Sequence, residues 1–173
     1  MKKTLIKMIQ PVLQNKWYAD LAFAIPRFIA GMLLSIDFGS SKFGMPWTDP
    51  EKNLSLLEVA SWFPEDVAKF GGLFAITPWF FAWMGAASEA IGGLFLAFGL
   101  KTRVFSFLIM CTMLVAIFFQ KWGGGTWGML PAMGFLWIST FHLVLGSGRF
   151  GLDYLITRRL NGSIIETPLA RVL

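Results

Sequence analysis

Residues 74–100 read FAITPWFFAWMGAASEAIGGLFLAFGL, with one ionisable side chain, Glu89, in the whole run. A helix needs about 20 mostly apolar residues to cross about 30 Å of hydrocarbon, so this stretch predicts a membrane span. Pro78 falls near its start, where a missing N–H does little harm. On the N-terminal side lies a second run of this kind, about 19–38, interrupted by Arg27. On the C-terminal side two shorter runs, 104–119 and 130–145, reach spanning length if Trp122 and Trp127 act as interfacial extensions, with Pro131 near the start of the last. The expected spans are therefore about 19–38, 74–100, 104–122 and 127–148. The fold class that follows is an all-α membrane protein, a four-transmembrane-helix bundle.

Composition points the same way. Of 173 residues, 55% are hydrophobic and 14% charged, with mean hydropathy +0.62; a soluble domain carries nearer a quarter charged residues. A small soluble fold could not bury this much apolar surface in one core. The net charge of +5 is spread between apolar runs and forms no basic stripe, which argues against nucleic acid as a partner. A lone cysteine, Cys111, and a lone histidine, His142, exclude a cysteine-pair relay and a bis-histidine haem within these residues. Cys111 reads as a small buried apolar residue. No cluster of metal-ligand spacing stands out.

Orientation follows from the Lys and Arg flanks. Lys2, Lys3, Lys7, Lys16, Lys101, Arg103, Arg149, Arg158, Arg159 and Arg171 fall on one side of the expected bundle; Lys42, Lys52, Lys69 and Lys121 fall on the other. Both termini are accordingly expected to be cytoplasmic. The chain divides into an N-terminal segment, 1–18, a bundle, 19–153, and a cytoplasmic tail, 154–173. Within 1–18, Leu5, Ile9, Val12 and Leu13 recur at helical spacing between lysines, which suggests an amphipathic helix on the anionic leaflet. The external loop, 39–73, is long and partly apolar; Pro64-Glu65-Asp66 reads as a helix start, so one or two short helices are expected over the external face.

Arg27 lies eleven residues beyond Lys16, and Glu89 twelve residues before Lys101. Measured from those boundaries, each sits roughly 16–18 Å deep. An unpaired charge at such depth costs at least about 2.5–3.5 kcal/mol, and pairing is the usual relief. Arg27 and Glu89 are therefore expected to form an intramembrane charged pair, helped by Gly31 on one helix and Gly85, Gly92 and Gly93 on the other, since small residues let helix backbones touch in lipid. Such a pair either marks a site or only fixes register. His142, Lys42 and Asp37 are further candidates for a ligand or proton site, His142 because imidazole titrates near neutral pH.

Three segments carry a family resemblance: Arg27-x3-Gly31-x7-Gly39-x2-Lys42; Glu89-x2-Gly92-Gly93-x2-Leu96-x2-Gly99-Leu100-x-Thr102-Arg103; and Gly146-x-Gly148-Arg149-x2-Leu152-Asp153. In this order and spacing the chain resembles the DoxX family of small bacterial membrane proteins. The resemblance implies a four-helix bundle in the bacterial inner membrane and singles out Arg27, Lys42, Glu89, Arg103 and Asp153. Gly128 and Met129 stand after Trp127, where many relatives are expected to carry an acid. Family members include the DoxD subunit of a thiosulfate:quinone oxidoreductase. By that likeness the expected function is a quinone-interacting subunit linked to a membrane oxidoreductase, with quinone as the cofactor class. The alternatives are an accessory or assembly subunit docking on a larger membrane or peripheral complex, homo-oligomers included, and a carrier of protons or a small lipophilic solute.

Overall fold

The computed structural model describes residues 9–161, and they are almost wholly helical. Helix α1, Trp17–Leu33, runs on through a π-helical turn, Leu34–Gly39. The following loop holds a 3₁₀ turn, Pro50–Lys52, and two short helices, α2, Trp62–Ala68, and α3, Gly72–Ile76. Helix α4, Pro78–Phe98, is followed by α5, Thr102–Val115, which ends in a second π-helical turn, Ala116–Lys121. After a 3₁₀ turn, Trp122–Gly124, come α6, Gly125–Leu145, and α7, Leu152–Asn161. Among the described residues the extended backbone makes no more than an isolated antiparallel bridge, Phe43 with Val59.

Three helical stretches are long and apolar enough to cross a membrane: Trp17–Gly39, Pro78–Phe98 and Thr102–Leu145. The last has 44 residues. Fully extended as a helix it would reach roughly 66 Å, twice a hydrocarbon core. It is instead folded back on itself. Gly125 takes φ +65, and the Arg103 guanidinium near one terminus donates to the Val144 carbonyl near the other at 3.1 Å. Ile109, Met113 and Ile117 of this hairpin's first arm share a core with Ala132 and Phe135 of its second, and with Ala30, Leu34 and Leu96.

Helices α1 and α4 meet backbone to backbone. A Cβ on Gly31 would lie 2.5 Å from the Gly93 carbonyl oxygen, and one on Gly39 would lie 2.5 Å from the Ala90 Cα. The Ser35 hydroxyl donates to the Ala90 carbonyl at 2.6 Å across the same seam. The other small residues of α4 have different uses: Gly92 faces Phe105 and Ile109 of α5, whereas Ala82, Ala86 and Ala90 carry the loop. Phe43, Val59, Phe63 and Val67 bury themselves on those alanines, and the Trp83 indole N–H donates to the Leu57 carbonyl at 3.2 Å. The loop is thus part of the packed core.

Several expectations shift. The second span starts at Pro78 instead of residue 74, because Thr77 leaves helical geometry at φ −136. Pro131 lies inside α6, well past its first turn. Pro64 sits within α2, whose first residue is Trp62. Residues 10–16 are not helical: the Val12 N–H donates to the Leu145 carbonyl at 2.8 Å, and Leu13 is buried against the bundle end. The rest of the expected amphipathic helix, Leu5 included, and the tail beyond 161 lie outside the described residues.

Candidate functional site

The two ends of the bundle treat charge differently. At one end the chain ties three distant turns into a knot. Gly99 takes φ +67, and a Cβ there would fall 2.7 Å from the Gly151 Cα, so only glycine fits both the conformation and the approach. The buried Asp153 carboxylate accepts from the Lys101 N–H at 2.7 Å, the Thr102 N–H at 2.8 Å and the Thr102 hydroxyl at 2.9 Å. It thereby satisfies two of the N–H groups at the start of α5 and sets a negative charge at that helix's N-terminus. Buried Arg27 donates to the Ser147 carbonyl and, at 2.8 Å, to that of Phe150. Asp20 and Arg149 close the knot with a 3.0 Å ion pair.

Arg27 and Glu89, expected to pair, do not. Arg27 lies level with Gly99, ten residues along α4 from Glu89, an axial separation of about 15 Å. Lys16 and Lys101 do not mark one common boundary, because residues 146–153 fold in beneath α4 and bring the knot up to the level of Arg27. Glu89 instead receives Lys42, whose ammonium stands 2.7 Å from Oε2. Their side chains are 12% and 6% exposed, which makes this a buried ion pair. Lys42 also sits 4.9 Å from the centre of the Phe63 ring, a cation–π contact.

Beside this pair opens a cavity of about 270 Å³ between α2, α4 and α5 with its π-helical turn. Its walls are mainly aromatic and aliphatic: Phe63, Phe70, Phe74, Phe81, Met84 and Leu108 among them. Polar atoms gather on one side, where Ser88 and Thr112 hold their hydroxyl oxygens 2.6 Å apart next to Lys42 and Glu89. Phe80 and Cys111, both exposed on the outer surface, stand at its rim. Exposed Cys111 corrects the expectation that it is buried. Each π-helical turn flanks the site, one leading through Gly39 to Lys42 and the other supplying Ala116 and Gln120. Turns of this kind recur near functional sites, where the extra residue re-aims a side chain.

The remaining candidates lie elsewhere. His142 is buried towards the knot, with Nδ1 2.8 Å from the Ile138 carbonyl oxygen. Arg103 braces the hairpin ends, and Asp37 is exposed and in no ion pair with another described residue. Phe63, Ser88 and Thr112 escaped sequence reasoning; the Thr112–Ser88 contact had no periodic signal, and Phe63 reaches the site through the fold of the loop.

A family model for DoxX matches residues 22–122. The chain belongs to the DoxX family. The matched region takes in Arg27, Lys42, Glu89 and Arg103, while Gly146, Gly148 and Asp153 lie beyond it. With its long apolar helices, this DoxX protein is a small integral membrane protein that contacts the lipid bilayer. No significant match was found among curated proteins or among solved structures.

Proposed function

We propose that this DoxX protein is a quinone-binding subunit of a membrane oxidoreductase, and that the quinone ring occupies the Lys42–Glu89 cavity. The observation that carries the reading is the cavity's chemistry: apolar, aromatic walls at membrane level, with an ion pair and two hydroxyls converging on one side. Ligand sites commonly combine a mostly apolar surface with a few placed polar groups. A ring carbonyl would face Lys42 or the Ser88–Thr112 hydroxyls, and the isoprenoid chain would leave past Phe80 and Cys111 into lipid. Glu89 offers a carboxylate that can take up or release one proton beside the ring. Electrons would come from the partner oxidoreductase.

In the same reading the 44-residue hairpin crosses twice, giving four spans, with the knot end and both termini on the cytoplasmic side of the bacterial inner membrane. The described cations Lys16, Lys101, Arg103, Arg149, Arg158 and Arg159 at that end support this orientation. An accessory role is the second reading. It is favoured by Leu56, Leu57 and Trp62, which the loop leaves exposed as a docking surface for a partner.

Gly85→Leu provides the test. A Cβ at Gly85 meets nothing closer than 3.8 Å, so the larger side chain enters the cavity without disturbing the α1–α4 seam. Protein purified in mild detergent should yield quinone in its organic extract, and folded Gly85→Leu protein should yield little. Equal quinone in both, or none in wild type together with a constant partner protein, would turn the reading towards the accessory role.

A further inference from the structure

At the knot end a groove of about 480 Å³ runs between α1, the last turn of α4 and α7. Its sides are the exposed faces of Ile25, Phe28, Ile29 and Phe98, residues that a bilayer would cover with acyl chains. Leu155 of α7 completes the apolar wall and is half exposed. Helix α7 is amphipathic: Asp153 and Thr157 are buried, Leu152, Leu155, Ile156 and Leu160 are open, and Arg158 and Arg159 are exposed beside them. An apolar stripe with flanking arginines is the pattern of a helix lying in the membrane interface.

Two arginines belong to the groove itself. Arg27 is 1% exposed, has no carboxylate within ion-pair distance among the described residues, and keeps a buried Nε without a hydrogen-bond acceptor. Arg149, paired with Asp20 on one side, remains 35% exposed. At the same end of the bundle Lys101, Arg103, Arg158 and Arg159 outnumber the carboxylates of Asp20 and Asp153. The site thus combines exposed apolar walls with an excess of positive charge at this end of the bundle.

We propose that this groove binds an anionic phospholipid of the bilayer, with its phosphate at the Arg149 mouth in the field of Arg27 and one acyl chain along Ile25, Phe28 and Leu155. The apolar walls select a lipid over a free anion, and the cations select an acidic headgroup over a zwitterionic one. Each Lys or Arg near an anionic surface strengthens binding about fivefold. The site is separate from the quinone cavity, with which it shares no lining residue.

The test is native mass spectrometry of the delipidated full chain in mild detergent, titrated with phosphatidylglycerol or phosphatidylcholine of the same acyl chains. We expect phosphatidylglycerol to bind at least fivefold more tightly. Leu155→Trp, which narrows the groove and keeps every charge, should abolish the tight site, and Arg149→Gln should erase most of the headgroup preference. Because Arg149→Gln strands Asp20, Arg149→Lys serves beside it and should keep the preference. Equal affinity for the two lipids would overturn the proposal. So would a phosphatidylglycerol preference untouched by Leu155→Trp, or displacement of the lipid by millimolar inorganic phosphate, which would mark a soluble-anion site.

Discussion

The Lys42–Glu89 pair invites a double-mutant cycle with Lys42→Met, Glu89→Gln and the double variant. The charges stand 2.7 Å apart with side chains 12% and 6% exposed, so neither can turn to water when its partner is removed. Their gross attraction is about 6 kcal/mol at an effective dielectric constant of 20. Much of that is cancelled by the cost of desolvating both groups, and replacing both together is therefore close to neutral. Removing one leaves an uncompensated buried charge, at a cost of about 3–5 kcal/mol. The single variants should each melt roughly 6–20 °C below wild type in the same detergent, on the scale usual for chains of this size. The double variant should recover most of that loss. Thermal unfolding followed by circular dichroism reads all four corners of the cycle. Losses that add to within about 0.5 kcal/mol would show that the two groups act independently and would refute the buried pair.

Three further outcomes follow from the packing. Gly31→Ala drives a Cβ to 2.5 Å from the Gly93 carbonyl oxygen and should cost about 1–3 kcal/mol, whereas a Cβ on Gly85 meets nothing closer than 3.8 Å and Gly85→Ala should gain up to about 1 kcal/mol from helix propensity; thermal melts compare them. Asp153→Ala strands the buried Thr102 N–H and hydroxyl at about 1–3 kcal/mol each, besides the part-buried Lys101 N–H, and amide exchange at the start of α5 should accelerate sharply while that in α6 changes little. In a Cys111→Ala background, Lys52→Cys should react with an impermeant maleimide from outside the cell, and Arg159→Cys only after the membrane is opened. Labelling of both in intact cells would contradict the proposed topology.

What could be read in advance depended on which contacts are local. Long apolar runs report membrane character directly, and the spacing of Gly31 against Gly93 anticipates a close helix seam because small residues permit it wherever they align. The partner of Glu89 was not legible. Depth counted from Lys16 and Lys101 assumes that both stand at one boundary, but residues 146–153 fold in beneath the α4–α5 turn, which stands level with Arg27, eleven residues from Lys16. The helix ends in the π-helical turn Leu34–Gly39 and Lys42 follows in the loop, its N–H donating to the Gly39 carbonyl at 3.1 Å, so no helical period assigns it a face. The knot explains why three separate segments carry the family likeness: Arg27, Gly99 to Arg103 and Gly146 to Asp153 are one structural unit in space. Phe63 could reach Lys42 only through the tertiary fold of the loop, which no local pattern encodes.

The most direct test of the quinone cavity is photolabelling of the native, membrane-embedded protein with an azidoquinone, followed by peptide mapping. Labelling should concentrate on Phe63 to Phe74, on Phe80 to Glu89 and on Leu108 to Ala116, the segments that line the cavity, and excess unlabelled quinone should suppress it. Label spread evenly over the lipid-facing surface, or gathered around Arg27 and His142 at the knot, would contradict a quinone site at Lys42 and Glu89.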